Sequence, residues 1–181
     1  MNTLHTPDLT LLPQTPAHAP AMFEVLSDPA IYTYENAPPA SLDALRERFA
    51  RLESRRSADA RQRWLNWVVQ AADERLIGFV QATLHADDRA AIAYEFASAH
   101  WGRGLASQAV RAMLDELAGH CAVHRLFAVL KRRNERSLRL LERLRFAPAS
   151  PAFRAAHPIA DDELLMERSA RFSGPDPLSM S

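Results

Sequence analysis

The order of elements in this sequence predicts a mixed α/β fold in one domain. Two strand patterns, at residues 65–70 and 76–84, flank a four-residue turn, and a third strand follows at 91–96. From there strands and helices alternate: a long helical pattern, a continuous apolar run at 126–130, a further helix, and a last strand within 161–168. A helical crossover between 91–96 and 126–130 sets those two strands parallel, while the earlier hairpin is antiparallel, so the sheet has mixed direction.

Taken in order, residues 9–12 (LTLL) make a first strand. Thr15 is placed to cap the next helix, with Pro16 at its first position and the body running from Ala21 to Leu26. Ser27-Asp28-Pro29 ends it, and Tyr32, Tyr34 and Pro38-Pro39 lie in an irregular connection. Ser41 opens a second helix with Leu42, Leu45, Phe49 and Leu52 on one face, and residues 54–63 read as a solvated loop. Ala72-Asp73-Glu74-Arg75 turns the hairpin, and Asp87-Asp88-Arg89 turns into the third strand. The long helix carries Leu105, Ala106, Ala109, Val110, Met113, Leu114, Leu117 and Ala118 at the spacing of one buried stripe, and Gly119 is its expected C-cap. Asn134 caps the next helix, with Leu138, Leu141 and Leu144 on one side. Residues 1–170 form the domain, and 171–181 read as a disordered tail.

Composition narrows the function classes. Of the 181 residues, 48% are hydrophobic and 24% charged, an ordinary globular balance. Lys and Arg together number 22, equal to Asp and Glu, so no global charge favours nucleic acid or an anionic membrane. Cys121 is the single cysteine, which excludes an intramolecular disulfide, and no metal site is expected. No apolar run approaches the roughly 20 residues of a spanning helix. The first residues lack a secretory pattern, so a cytoplasmic location is expected.

Chemistry concentrates at the turn Trp101-Gly102-Arg103-Gly104-Leu105-Ala106, between a strand and a helix N-terminus. The first N–H groups of a helix lack intrahelical partners and carry partial positive charge, and glycines let a diphosphate approach them. A dinucleotide fingerprint would need a third glycine where Ser107 stands, and the Walker Gly-Lys pair is absent, the chain's only lysine being Lys131. Neither nucleotide motif applies.

The turn instead resembles the acyl-CoA pyrophosphate loop of the GNAT superfamily of N-acetyltransferases, Q/R-x-x-G-x-G/A, with Trp101 at its first position. The branch it is most similar to is that of the ribosomal-protein alanine acetyltransferases (RimJ/RimL-like), whose members look like GYW…WGKGYATEA where this chain reads AYEFASAHWGRGLASQA. A second block, N-x-x-S followed by G-F, is matched from Asn134 and Ser137 to Phe146, with Arg145 in place of the glycine; Leu76-Ile77-Gly78 matches the branch's LIG strand. The likeness spans residues 10–167. It implies a mostly antiparallel central sheet flanked by helices, acetyl-CoA as cosubstrate, and an amine acceptor, either a small molecule or a protein N-terminus. It further implies that the loop from Trp101 and Gly102 leads into backbone N–H groups of Arg103, Gly104, Leu105, Ala106 and Ser107 that bind the pyrophosphate. Phe96 and Ala97 would meet pantetheine, Asn134 the CoA arm, and Ser137 the departing thiolate as candidate proton donor.

Amine acetylation needs a neutral amine and a group to take its proton. Glu95 is the ionisable residue of the central strand nearest this end. It is the candidate base or amine-orienting group, unless a pair with Arg125 or Arg139 makes it structural. Ser137 has a similar alternative as a backbone-bonding helix residue. Trp64, Trp67 and Trp101 either line an acceptor pocket or pack in the core. His100 either touches the CoA phosphates or faces solvent. Lys131-Arg132-Arg133 either meets the 3′-phosphate or is a solvated loop. His120 and His124 are expected off the helix. The acceptor region, residues 22–63, mixes Tyr32, Tyr34, Glu35, Arg48 and Arg51 with no dominant charge. A non-catalytic acyl-CoA-binding or regulatory module on the same fold is the alternative function, and the oligomeric state is open, a homodimer included.

Overall fold

The computed structural model describes residues 1–34 and 36–170. Its frame is one eight-stranded sheet in the order β1-β2-β3-β4-β5-β6-β8-β7. The strands are β1 (Leu4–His5), β2 (Leu9–Pro13), β3 (Gln62–Ala71), β4 (Leu76–His85), β5 (Arg89–Phe96), β6 (Arg125–Lys131), β7 (Ala147–Pro148) and β8 (Glu163–Ser169). Neighbours run antiparallel except β5 and β6. That exception is the pair joined by the long helix α3 (Leu105–His120), as a crossover requires.

Alternation along the strands divides the core. Leu65, Trp67 and Val69 of β3, with Val80, Ile92, Leu126 and Ala128, face α3 and α4 (Glu135–Arg143). Val68 and Phe79 face the other way, onto Met22 and Leu26 of α1 (Ala19–Leu26) and Leu45 and Phe49 of α2 (Leu42–Glu53). A third cluster, Phe127, Phe153 and Leu165, lies under α5 (Pro151–Ala156). Trp67 is fully buried and its indole N–H donates to Asn2 O at 2.8 Å, so it is a core residue.

The expected caps form. Ser41 Oγ accepts from Ala44 N at 3.1 Å, and Asn134 Oδ1 from Ser137 N at 3.2 Å. Thr15 does open the first helical segment, through Pro16–His18 as a 3₁₀ turn before α1, with its N–H donating to His18 Nδ1 at 3.1 Å. Arg145 takes the left-handed conformation (φ 66°) after α4, with Phe146 N donating to Leu141 O at 3.0 Å, a Schellman ending built without glycine.

Several expectations change. Gly119 does not end α3, which continues to His120, with Cys121 N bonded to Leu117 O at 3.1 Å. Leu117 is fully buried and holds that last turn on the core, and no left-handed residue is required there. His120 is therefore helical and pairs with Glu116 at 3.0 Å, while His124 lies beyond the helix. Ala118 is exposed, outside the buried stripe. The short β1, β7 and α5 were not expected, being too brief to show periodicity. The tail at 171–181 and Glu35 lie outside the described residues. Among the described residues no helix is long and apolar enough to cross a membrane, and no group of three or more His, Cys, Asp or Glu is placed to hold a metal ion.

Candidate active site

β5 and β6 pair only from Arg89 with Arg125 to Ala91 with Phe127. Beyond that point β5 stays on β4 through Phe96, while β6 stays on β8 through Lys131, and a gap opens between them. Ala97 N donates to Ile77 O on β4 at 3.0 Å, so alternation turns the Phe96 backbone to the open side. There Phe96 O accepts from the Trp101 indole N–H at 2.8 Å.

The N-terminus of α3 stands at one edge of the gap. Gly102 (φ 75°) and Gly104 (φ 78°, the N-cap) are both left-handed, the conformation that favours glycine. A Cβ at either would meet nothing within 4 Å, so the backbone conformation and not crowding selects glycine. No side chain caps α3, which leaves its first N–H groups directed at a cleft of about 830 Å³.

α4 forms the opposite wall. Arg136, Arg139 and Arg143 recur at near-helical spacing along it and line the cleft, as does Arg133 just before the Asn134 cap. The Arg136 guanidinium lies 3.5 Å from the Trp101 ring centroid, and Arg133 lies 5.8 Å from that of Tyr34. This basic stripe was not singled out from sequence, although the spacing of the arginines in NERSLRLLER carries it. The run Lys131-Arg132-Arg133 is divided. Lys131 pairs with Asp162 and Glu163, Arg132 Nε–H donates to Asp161 O at 3.0 Å, and only Arg133 turns to the cleft.

A second chamber of about 420 Å³ lies towards the α1–α2 connection. The two cavities share Ile31, Tyr34, Tyr94, Glu95, Asn134 and Ser137, so they meet at the splay. The sequence-derived residues Glu95, Phe96, Trp101, Gly102, Gly104, Leu105, Ala106, Ser107, Asn134 and Ser137 all line the larger cleft, as does His100. Arg103 and Ala97 do not: Arg103 is exposed, and the Ala97 N–H is spent on β4. Arg125 pairs with Glu167 at 3.3 Å, and Arg139 pairs with Glu135.

Two tyrosines add to the site. Tyr94 donates to Ser137 O at 3.4 Å, and burial pushes its phenol up to about 12. Tyr32 donates to Leu26 O at 2.8 Å and is likewise raised to about 12, by burial first and then by the Glu95 charge, against a smaller opposing effect of Arg48. Both stay protonated at neutral pH. The signal for Tyr94 was its place beside Glu95, one step along the strand that borders the gap.

An uncapped helix terminus, a wall of arginines and a junction lined by a carboxylate and hydroxyls are the features a group-transfer site for a long anionic carrier would use. The sequence model of the acetyltransferase (GNAT) domain matches residues 8–147, and the chain belongs to that family of N-acetyltransferases. It is 28% identical over 148 residues to the uncharacterized N-acetyltransferase p20 of Bacillus licheniformis, covering 81% of this chain and 83% of that protein. Its fold is similar to that of the ribosomal-protein-S5-alanine acetyltransferase of Vibrio fischeri (TM-score 0.78, 16% identity, 97% of this chain and 100% of that one). RimL, a ribosomal L7/L12 alpha-N-protein acetyltransferase solved in complex with coenzyme A, is also similar (TM-score 0.75, 15% identity, 93% and 98%).

Proposed function

We propose that this enzyme binds acetyl-CoA in the larger cleft and transfers its acetyl group directly to a primary amine held in the smaller chamber. The observation that carries this reading is the junction: one carboxylate, Glu95, and three hydroxyl residues, Tyr34, Tyr94 and Ser137, border both cavities where β5 and β6 part.

In this reading the N–H groups of Gly104, Leu105, Ala106 and Ser107 hold the pyrophosphate, with Arg103 adding charge at the rim. The Phe96 N–H, which has no strand partner on the open side, receives a pantetheine carbonyl. Trp101 and Gly102 shape the cleft entrance. Asn134 caps α4 and borders the CoA arm. The arginines of α4 suit a carrier with several phosphate charges.

The amine nitrogen attacks the thioester carbonyl carbon, the C–N bond forms, and the C–S bond breaks from the tetrahedral adduct. Glu95 takes the proton that the nitrogen sheds, and the departing thiolate takes a proton at Ser137 or from water. A site lined by hydroxyl donors stabilises charge on oxygen and sulfur as it develops. No acyl-enzyme is required. Burial holds Cys121 in its thiol form, and it lines a different depression, with Asp115 and His124.

The acceptor is a small amine or a protein N-terminus. The two structural relatives are named for ribosomal-protein acceptors, and at 15–16% identity that likeness carries the fold alone. Calorimetric titration with acetyl-CoA, followed by thiol release with a panel of amines, tests the proposal. Binding with amine-dependent thiol release supports it. Binding without turnover on any amine assigns the chain to a non-catalytic acyl-CoA module instead, and no binding defeats both readings.

A further inference from the structure

The smaller chamber carries information about its occupant. Among its described lining residues Glu95 is the one acid and Arg48 the one cation. Glu95 projects from β5 at the junction with the cofactor cleft, while Arg48 projects from α2. Tyr32 lines the chamber with them. Its O–H is committed to Leu26 O, so towards the chamber its oxygen can only accept. An ammonium or amine N–H thus finds a carboxylate and a phenol oxygen on one side, and an anionic group finds a guanidinium on the other. Among the described lining residues a polyamine would meet one acid and be repelled by Arg48.

The third wall is apolar. Val129, at 42% exposure, is the one large apolar side chain left exposed among the described residues. It faces the chamber together with Phe79 and Ile31. Together these three side chains give the chamber an apolar wall that an apolar part of a ligand can cover.

Building on the transferase reading above, we infer that the acceptor is a compact zwitterionic amine of the α-amino-acid type, its amine on Glu95, its carboxylate on Arg48 and an apolar side chain on Val129. The same three points distinguish it from a polyamine and from an amine without an acidic group.

The test is thiol release at saturating acetyl-CoA with leucine, leucinamide, isoamylamine and spermidine. Leucine should show a kcat/KM roughly tenfold above isoamylamine and leucinamide, as one charged contact supplies. Arg48→Ala should raise the KM for leucine by a similar factor and lower the leucine-to-isoamylamine ratio of kcat/KM to match, because comparing that ratio between parent and variant cancels the different intrinsic reactivities of the amines. Arg48→Glu should reverse the preference towards isoamylamine and spermidine. The neighbouring Arg46→Ala, an exposed residue paired with Asp43 and outside the chamber, serves as the control and should leave the ratio unchanged. Equal or better use of spermidine or isoamylamine by the parent enzyme overturns the inference, as does an Arg48→Ala variant with an unaltered leucine preference. Either result leaves the transferase reading standing. Acetyl-CoA binding with no amine turned over removes both.

Discussion

The Asp28 carboxylate accepts a hydrogen bond from the Ser98 backbone N–H at 2.7 Å, and its other oxygen accepts from Ala30 N at 2.9 Å. One side chain therefore ties the connection carrying Ile31, Tyr32 and Tyr34 to the segment that leads from β5 into the glycine turn. The larger cleft and the smaller chamber share lining residues Ile31 and Tyr34 on that connection, so their common wall depends on this contact.

Replacing Asp28 should loosen that wall. Asp28→Ala is expected to raise the KM for the amine several-fold and to lower kcat, with a smaller change in acetyl-CoA affinity measured by calorimetry. The Ser98 hydrogen bonds hold the Asp28 carboxyl below its ordinary value. A carboxyl depressed on folding contributes stability above its unfolded value of about 3.9, and that contribution is lost as pH falls through the lower folded value. The stability gap between the parent and Asp28→Asn, read from urea melts, should be full near neutrality and shrink below about pH 4.

Glu95 should show itself in a pH–rate profile. A carboxylate that accepts the amine proton must be ionised, so activity rises with pH across its titration. Glu95→Gln removes that limb and should lower kcat by roughly 10²-fold. An unchanged rate and profile would take Glu95 out of the mechanism.

Gly78 and Gly119 should respond oppositely to alanine. Gly78 pairs with Phe96 on β5, and a Cβ there would stand 2.3 Å from Glu95 O and 2.8 Å from the Phe96 ring. Gly78→Ala should cost about 1–3 kcal/mol and reduce kcat, because the strand that must move carries Glu95. Gly119 is helical, and a Cβ there meets nothing within 4 Å. Gly119→Ala should stabilise the fold by about 0.5–1 kcal/mol. Chemical denaturation of both variants checks the contrast, and a stable, fully active Gly78→Ala enzyme would contradict it.

Arg145 carries a left-handed backbone that favours glycine. Arg145→Gly should raise stability by about 1 kcal/mol with kcat unchanged, measured by thermal and urea unfolding.

Local rules made much of this molecule legible. The hairpin turn, the Ser41 and Asn134 caps, the α3 stripe and the glycine turn each depend on residues within a few positions of one another, where periodicity and capping chemistry act directly. The two blocks around Gly104 and Asn134 were readable for the same reason. The end of α3 was not, because Leu117 extends the helix by packing on a distant core that no window at Gly119 contains. β1, β7 and α5 are too short to carry a period. Their positions follow from pairing with β2 and β8 and from the contact of Phe153 with Phe127.

The sequence by itself determined the element order, the crossover that makes β5 and β6 parallel, and the glycine turn that leads into α3. Tertiary structure alone decided where those two strands separate, that Tyr94, Glu95 and Ser137 border one junction, and that Tyr32 and Arg48 reach it from the far side. The division is physical. Helices, caps and turns are set by hydrogen bonds between near neighbours, whereas a cavity is bounded by side chains that only the packed sheet brings together.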